Sequence, residues 1–262
     1  MTLLFWLALA IKMAVTAGFV VLATATAERA GALVGALVAT LPIAAGPAYV
    51  FLALDHDPPF IAAAALASLA VNAVTAIFAL VYAATAQTRG LALSLAAAMT
   101  TWTVFAFIVR SIEWTLIGAV ILNLVVIPLC AAIGRRLREI AMPLVTRRWY
   151  DIPLRAAMAA LLVAVVVGLS ARVGAAVTGM LAVFPIVLTS LMLILQPRIG
   201  GRPTAAVLAN TISGLGGFAC SLLVLHLAAV PLGSPAALTL ALAISIAANL
   251  SIWAARRRGI PV

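Results

Sequence analysis

Charge is scarce in this sequence: 8% of its 262 residues are Asp, Glu, Lys or Arg, where an average soluble domain has roughly 25%. Beside a hydrophobic content of 66%, that scarcity excludes an ordinary soluble domain, because a single core of this size cannot hide so much apolar material while a lipid solvent accepts it on the outer face. Acid is scarcer still, with 6 Asp and Glu against 16 Lys and Arg. All six carboxylates, Glu28, Asp55, Asp57, Glu113, Glu139 and Asp151, fall at the ends of apolar runs or in the breaks between them. None is left at mid-membrane to couple protons or sodium, although backbone carbonyls can still bind an ion. The two cysteines, Cys130 and Cys220, lie alone inside apolar runs and read as small buried hydrophobes. With two histidines, no His-Glu-x-x-His and no serine-centred constellation, the chain offers no hydrolytic centre and calls for no cofactor. Asp55-His56-Asp57 holds three metal-ligand types in one turn, yet adjacent side chains converge poorly on one ion, and Asp57 before Pro58 reads as a helix N-cap followed by proline. The basic excess sits in short loops without interleaved aromatics, which excludes nucleic acid as a partner.

What is present is a series of long apolar runs. Breaks at Glu28-Arg29, Asp55 to Pro59, Gln87 to Gly90, Arg110 to Glu113 and Gly134 to Asp151 predict about nine spans, over residues 3–26, 30–54, 60–86, 90–109, 112–133, 152–170, 173–196, 203–230 and 234–255. Ala25-Thr26-Ala27 resembles a signal-peptidase site, but no basic region precedes the run and Lys12 sits inside it. If the Arg-rich central loop is cytoplasmic, that side collects every Lys and Arg except Arg110, Arg172 and the intramembrane Lys12. The bias places the amino terminus outside and the carboxyl terminus in the cytoplasm of a bacterial-type inner membrane.

Sliding the chain over itself by 143 residues aligns Trp6 to Ile43 with Trp149 to Ile186 without a gap. Trp6 meets Trp149, Lys12 meets Arg155, Arg29 meets Arg172, Gly31 meets Gly174 and Pro42 meets Pro185. Spans three and four fall on spans eight and nine, and span five has no counterpart. The expected fold is therefore an all-α polytopic membrane protein of two four-helix repeats, residues 1–109 and 149–262, joined by a linker helix and Arg-rich cytoplasmic loop at 110–148. One odd linker span makes the second unit enter from the opposite face, so the repeat is inverted, the recurring build of secondary transporters.

The second span of each unit begins Arg-x-Gly at Arg29 and Arg172 and meets Pro42 or Pro185 about 13 residues in, near the bilayer midplane at about 1.5 Å per residue. Proline frees a backbone carbonyl one turn earlier, so a kinked helix at that depth can present unpaired carbonyls to a solute. Packing kinks with small residues at close helix contacts are the alternative. Arg172 followed by Gly179-Met180-Leu181-Ala182-Val183-Phe184-Pro185-Ile186 resembles the pattern of the GlpM-like small inner-membrane proteins, which are about half this length. The likeness spans some 40 residues, and the first unit departs from it with Leu41 in the phenylalanine place. It implies a duplicated, fused version of a small membrane protein that pairs with itself, which leaves a homodimer open, and it names no substrate.

Lys12 lies about 9 Å along the helix from Trp6, and an intramembrane cation is a functional candidate unless it snorkels to the headgroups. Arg155 is its counterpart, nearer a helix start. Arg29 and Arg172 are interface anchors or, at symmetric mouths, steer an anion. Asn72 in span three, with Asn210 and Ser213 in span eight, are the neutral polar residues placed nearest a cavity. The candidate substrate-binding set is thus Lys12, Pro42, Asn72, Arg155, Pro185, Asn210 and Ser213, with Arg29 and Arg172 as gating or steering groups. The expected function is secondary transport or export of a small anionic or polar solute, with the lipid bilayer and that solute as partners. A non-transporting scaffold or accessory subunit of an envelope complex is the alternative.

Overall fold

The computed structural model describes residues 3–29, 44–137 and 148–257. Among them there is no strand, only helices: α1 (Leu3–Arg29), α2 (Ala45–Asp55), α3 (Pro58–Thr85), α4 (Leu91–Arg110), α5 (Leu116–Gly134), α6 (Asp151–Ala182), α7 (Ile186–Ile199), α8 (Gly201–Leu232) and α9 (Ser234–Arg257). Seven helices are long and apolar enough to cross a membrane, the mark of a multi-pass α-helical membrane protein. The two shorter ones are α2 and α7.

Local chemistry sets the helix starts. Asp57 accepts the Phe60 amide at 3.0 Å, with Pro58 at the first helical position of α3. Thr115 does the same for Gly118 at the head of α5, at 3.1 Å. Inside the helices, hydroxyls back-bond to carbonyls about one turn earlier, as Thr101 does to Ala97 and Thr178 to Gly174. A polar side chain satisfied within its own helix can face lipid or a neighbour without an exposed donor.

α3 is the hub, packed against α4, α5, α6 and α8. Its buried surface is largely alanine, including Ala64, Ala65, Ala70, Ala76 and Ala79, and such small side chains let several backbones approach at once. α8 lies against it antiparallel. Ala62 meets His226, Asn72 meets Leu215 and Ala86 meets Gly201, so contacts run up one helix and down the other. α5 turns Ile117, Ile121, Leu124 and Ile133 outward, a stripe that lipid can cover.

Six of the expected spans, 60–86, 90–109, 112–133, 152–170, 203–230 and 234–255, each coincide with a single long helix or the first arm of one, and 3–26 lies within α1. The span expected at 30–54 falls partly outside the described residues, and its remainder is α2. The span expected at 173–196 is divided. α6 bends at Gly174, whose φ of 76° and ψ of 172° are open to glycine and strained for any other residue. The second arm, 175–182, stops before Phe184-Pro185, and α7 begins anew. Proline supplies no amide and pushes the residue before it out of the helical region, which accounts for the stop. The arm and the 14 residues of α7 together rise about 33 Å, one bilayer core.

Candidate functional site

The broken segment is clamped where it leaves the helical path. Gly179 lies so close to α3 that an added Cβ would stand 2.0 Å from the Ala64 carbonyl oxygen. Ser68 donates to the Gly179 carbonyl at 2.6 Å. Its single hydroxyl proton is then committed, so the Tyr49 hydroxyl donates to Ser68 Oγ at 2.6 Å. Beyond the break, Thr189 closes the first turn of α7 through both its amide and its hydroxyl on the Pro185 carbonyl, at 2.9 and 2.8 Å.

Against this segment lies a cavity of about 490 Å³ between α4 and α6, within the usual range for small-molecule sites. Arg110 and Arg172 line it at the ends of their helical arms, Phe107, Val177, Met180 and Leu181 form apolar walls, and Trp102 lies deepest along α4. The Trp102 indole is 6% exposed, and among the described residues its Nε1–H has no hydrogen-bond partner. Its ring meets Phe184, the residue before Pro185, edge to face with centroids 5.0 Å apart. On the other side of the break, Arg155, Ser190, Thr24 and the first turn of α7 enclose only about 40 Å³, room for a water or so.

The two ends of the molecule differ. At one, the cavity opens beside Arg110 and Arg172, and among the described residues neither has an acidic partner. His56 Nε2 meets Ser170 Oγ at 2.8 Å at this end. At the other, Arg198 forms a two-pronged ion pair with Asp151, Nη1 donating to Oδ2 at 2.8 Å, and so ties the end of α7 to the start of α6. Arg198 also covers the Tyr150 ring, and with Arg148 it holds the Tyr150 phenol below its ordinary pKa by hydrogen bonding to it. Tyr82 donates to the Gln196 side-chain oxygen, and the Gln196 amide reaches the Arg89 carbonyl at 3.3 Å. Ion pair and amide bridge together fasten α7 to α6, α3 and the turn before α4.

No known family, curated protein or solved structure matches the chain. The site is therefore read from its own residues.

Of the residues singled out in the sequence, Arg172 and Pro185 border the cavity and the break, and Arg155 lines the small cavity beyond it. Lys12 is taken by Asp55 on α2 and lies 5.9 Å from the Phe51 ring centroid. Asn72, 1% exposed, sits at the α3, α5 and α8 crossing, donating to Asn123 at 2.9 Å and to the Leu215 carbonyl at 3.0 Å. Asn123 donates in turn to the Leu69 carbonyl at 2.7 Å. Asn210 bonds its own helix at Ala206, 2.9 Å away, and Ser213 is half-buried on α8. Pro42 lies outside the described residues, as does the side chain of Arg29. Sequence reasoning missed Arg110 and Trp102 as cavity residues, Phe184 as the ring against Trp102, and Gln196 as a clasp. A tryptophan flanked by Thr101 and Thr103, and an amide within an apolar run, were the signals available for two of them.

Proposed function

We propose that the chain is a secondary transporter of a small anionic or polar solute, working by alternating access of two inverted four-helix units. The observation that carries this is the asymmetry about the broken helix. A cavity of about 490 Å³ opens at the Arg110 and Arg172 end, while the cavity beside Arg155 beyond the break holds about 40 Å³ and the end past it is tied by the Asp151 and Arg198 pair. Such an arrangement is a solute path open at one end and shut at the other.

The inverted duplication is supported by position. Pro58 and Gly201 begin α3 and α8, Leu91 and Ser234 begin α4 and α9, and both pairs stand 143 residues apart. Asn72 touches Leu215 at that same separation. Two antiparallel helices whose equivalent positions coincide at their crossing fit a two-fold axis lying in the membrane plane. In this reading α5 is the linker span, α2 and α7 complete nine spans, and the GlpM-like stretch is the broken segment itself. The Arg-rich end faces the cytoplasm of a bacterial-type inner membrane, with the amino terminus outside.

Purified protein in liposomes tests the function by counterflow of radiolabelled benzoate, phosphate and glycerol. In a background lacking Cys130 and Cys220, cysteines at Asp151 and Arg198 are bridged by a bis-thiosulfonate. Transport requires counterflow that stops on bridging and returns on reduction. No flux of any tracer, with a stoichiometric partner copurifying, would favour the scaffold reading instead.

A further inference from the structure

We infer that the cavity between α4 and α6 is a binding site for an organic monocarboxylate with an apolar body and a hydrogen-bond acceptor at its far end. The inference deepens the transport reading and rests on it for its physiological role. Three observations converge. Arg110 and Arg172 come from different helices to one cavity, and among the described residues no carboxylate neutralises either. Arg89, Arg148 and Arg198 gather instead at the opposite clasp, so Arg110 and Arg172 stand apart from that basic end. Two arginines that line one concave site without counter-charge fit a carboxylate, since planar N–H forks match carboxylate oxygens.

The walls select the part of the ligand behind the headgroup. Apart from the Thr103 hydroxyl, the walls of Ala106, Phe107, Val177, Met180 and Leu181 carry no side-chain hydrogen bond for a sugar or an amino group, whereas they bury a ring or short chain at a gain set by its apolar area. Where Trp102 meets the cavity its Nε1–H is buried and, among the described residues, without a partner, and an indole nitrogen only donates. A buried unpaired donor is costly, and a bound ligand that presents an acceptor as the indole turns toward the cavity relieves that cost. Arg110 and Trp102 are about 12 Å apart along α4 by helical rise. A ligand the length of a para-substituted benzoate, reached by an inward-pointing guanidinium, bridges them.

The probe is 4-hydroxybenzoate, compared by calorimetry on detergent-purified full-length protein with benzoate and uncharged 4-hydroxybenzyl alcohol. The expected order of affinity is 4-hydroxybenzoate, then benzoate, with the alcohol not bound. Arg110→Gln and Arg172→Gln should each weaken both acids about ten-fold or more. Trp102→Phe should weaken 4-hydroxybenzoate several-fold while leaving benzoate nearly unchanged. That ratio is immune to any general loosening of the fold. Equal binding of the alcohol would make the cavity a lipid-chain groove and overturn the proposal, as would a Trp102→Phe loss shared equally by both acids or no acid binding at millimolar concentration. Binding without counterflow would sink the transport reading and leave the site; counterflow insensitive to Arg110→Gln and Arg172→Gln would sink the site and leave transport.

Discussion

Replacing Gly179 by Ala adds one carbon at the tightest contact between the broken segment and the hub. That carbon would stand 2.0 Å from the Ala64 carbonyl oxygen, 2.7 Å from its carbon and 2.9 Å from its Cα. All three are backbone atoms of a buried helix and cannot swing aside. Ordinary contact begins at 3.4 Å, so the two backbones must separate by about 1.4 Å, the difference between those distances. The Ser68 hydrogen bond to the Gly179 carbonyl, now 2.6 Å, then lengthens to about 4 Å and is lost. Overpacking costs about 1–3 kcal/mol, and a buried carbonyl left without its partner about 1–3 kcal/mol more. Alanine's better helix propensity returns about 0.5–1 kcal/mol. The middle of these ranges is a net loss of about 3 kcal/mol, which at about 2–4 °C per kcal/mol for a chain near this size lowers the melting temperature by roughly 6–12 °C. The matched control is Gly214→Ala on α8, where an added Cβ meets nothing within 4 Å and the same helix gain of about 0.5–1 kcal/mol stands unopposed. Thermal unfolding of both variants in one detergent, followed by tryptophan emission, separates them by sign. A Gly179→Ala protein as stable as the parent would refute the close approach and the clamping of the break.

Gly174→Ala places a side chain at φ 76°, ψ 172°; at about 1–3 kcal/mol it should lower the melting temperature by several degrees and reduce any carboxylate binding with it. Asp151→Asn leaves Arg198 without its counter-charge and should lower stability measurably. The exchanged pair Asp151→Arg with Arg198→Asp should recover more than half of that by urea unfolding, and no recovery would deny the contact. Single cysteines at Asp55 and Arg198, on a background without Cys130 and Cys220, should label oppositely with an impermeant thiol reagent on intact cells. Equal labelling would make the two units parallel.

The apolar runs and their punctuation were legible because each depends on adjacent residues: Asp57-Pro58 starts α3 by its own chemistry, and Arg110 ends α4 where charge returns. Even the break in the span expected at 173–196 was foreshadowed by Pro185, although its depth depended on Gly174 as well. The cavity was not legible. Its walls come from α4 and α6, far apart in the chain, and no periodicity within either helix says that they face each other. Lys12 looked like a solitary intramembrane cation for the same reason, since Asp55 lies 43 residues away. Trp102 was not singled out, because a missing hydrogen bond is a property of surroundings, not of a residue type.

The crossing of α3 and α8 has a mechanical consequence. Asn72 ties the two helices at the point where equivalent positions coincide, through the Leu215 carbonyl, and holds α5 there through Asn123. A tilt of one helix against the other by about 10° leaves that point in place yet shifts the Ala62 and His226 contact, about 15 Å away by helical rise, by about 2.6 Å. It moves the Ala86 and Gly201 contact the opposite way and further, since that arm is about 21 Å. The pair is a see-saw with its polar bonds at the pivot: the hydrogen bonds hardest to replace in lipid are the ones rocking strains least, and what widens at one rim narrows at the other.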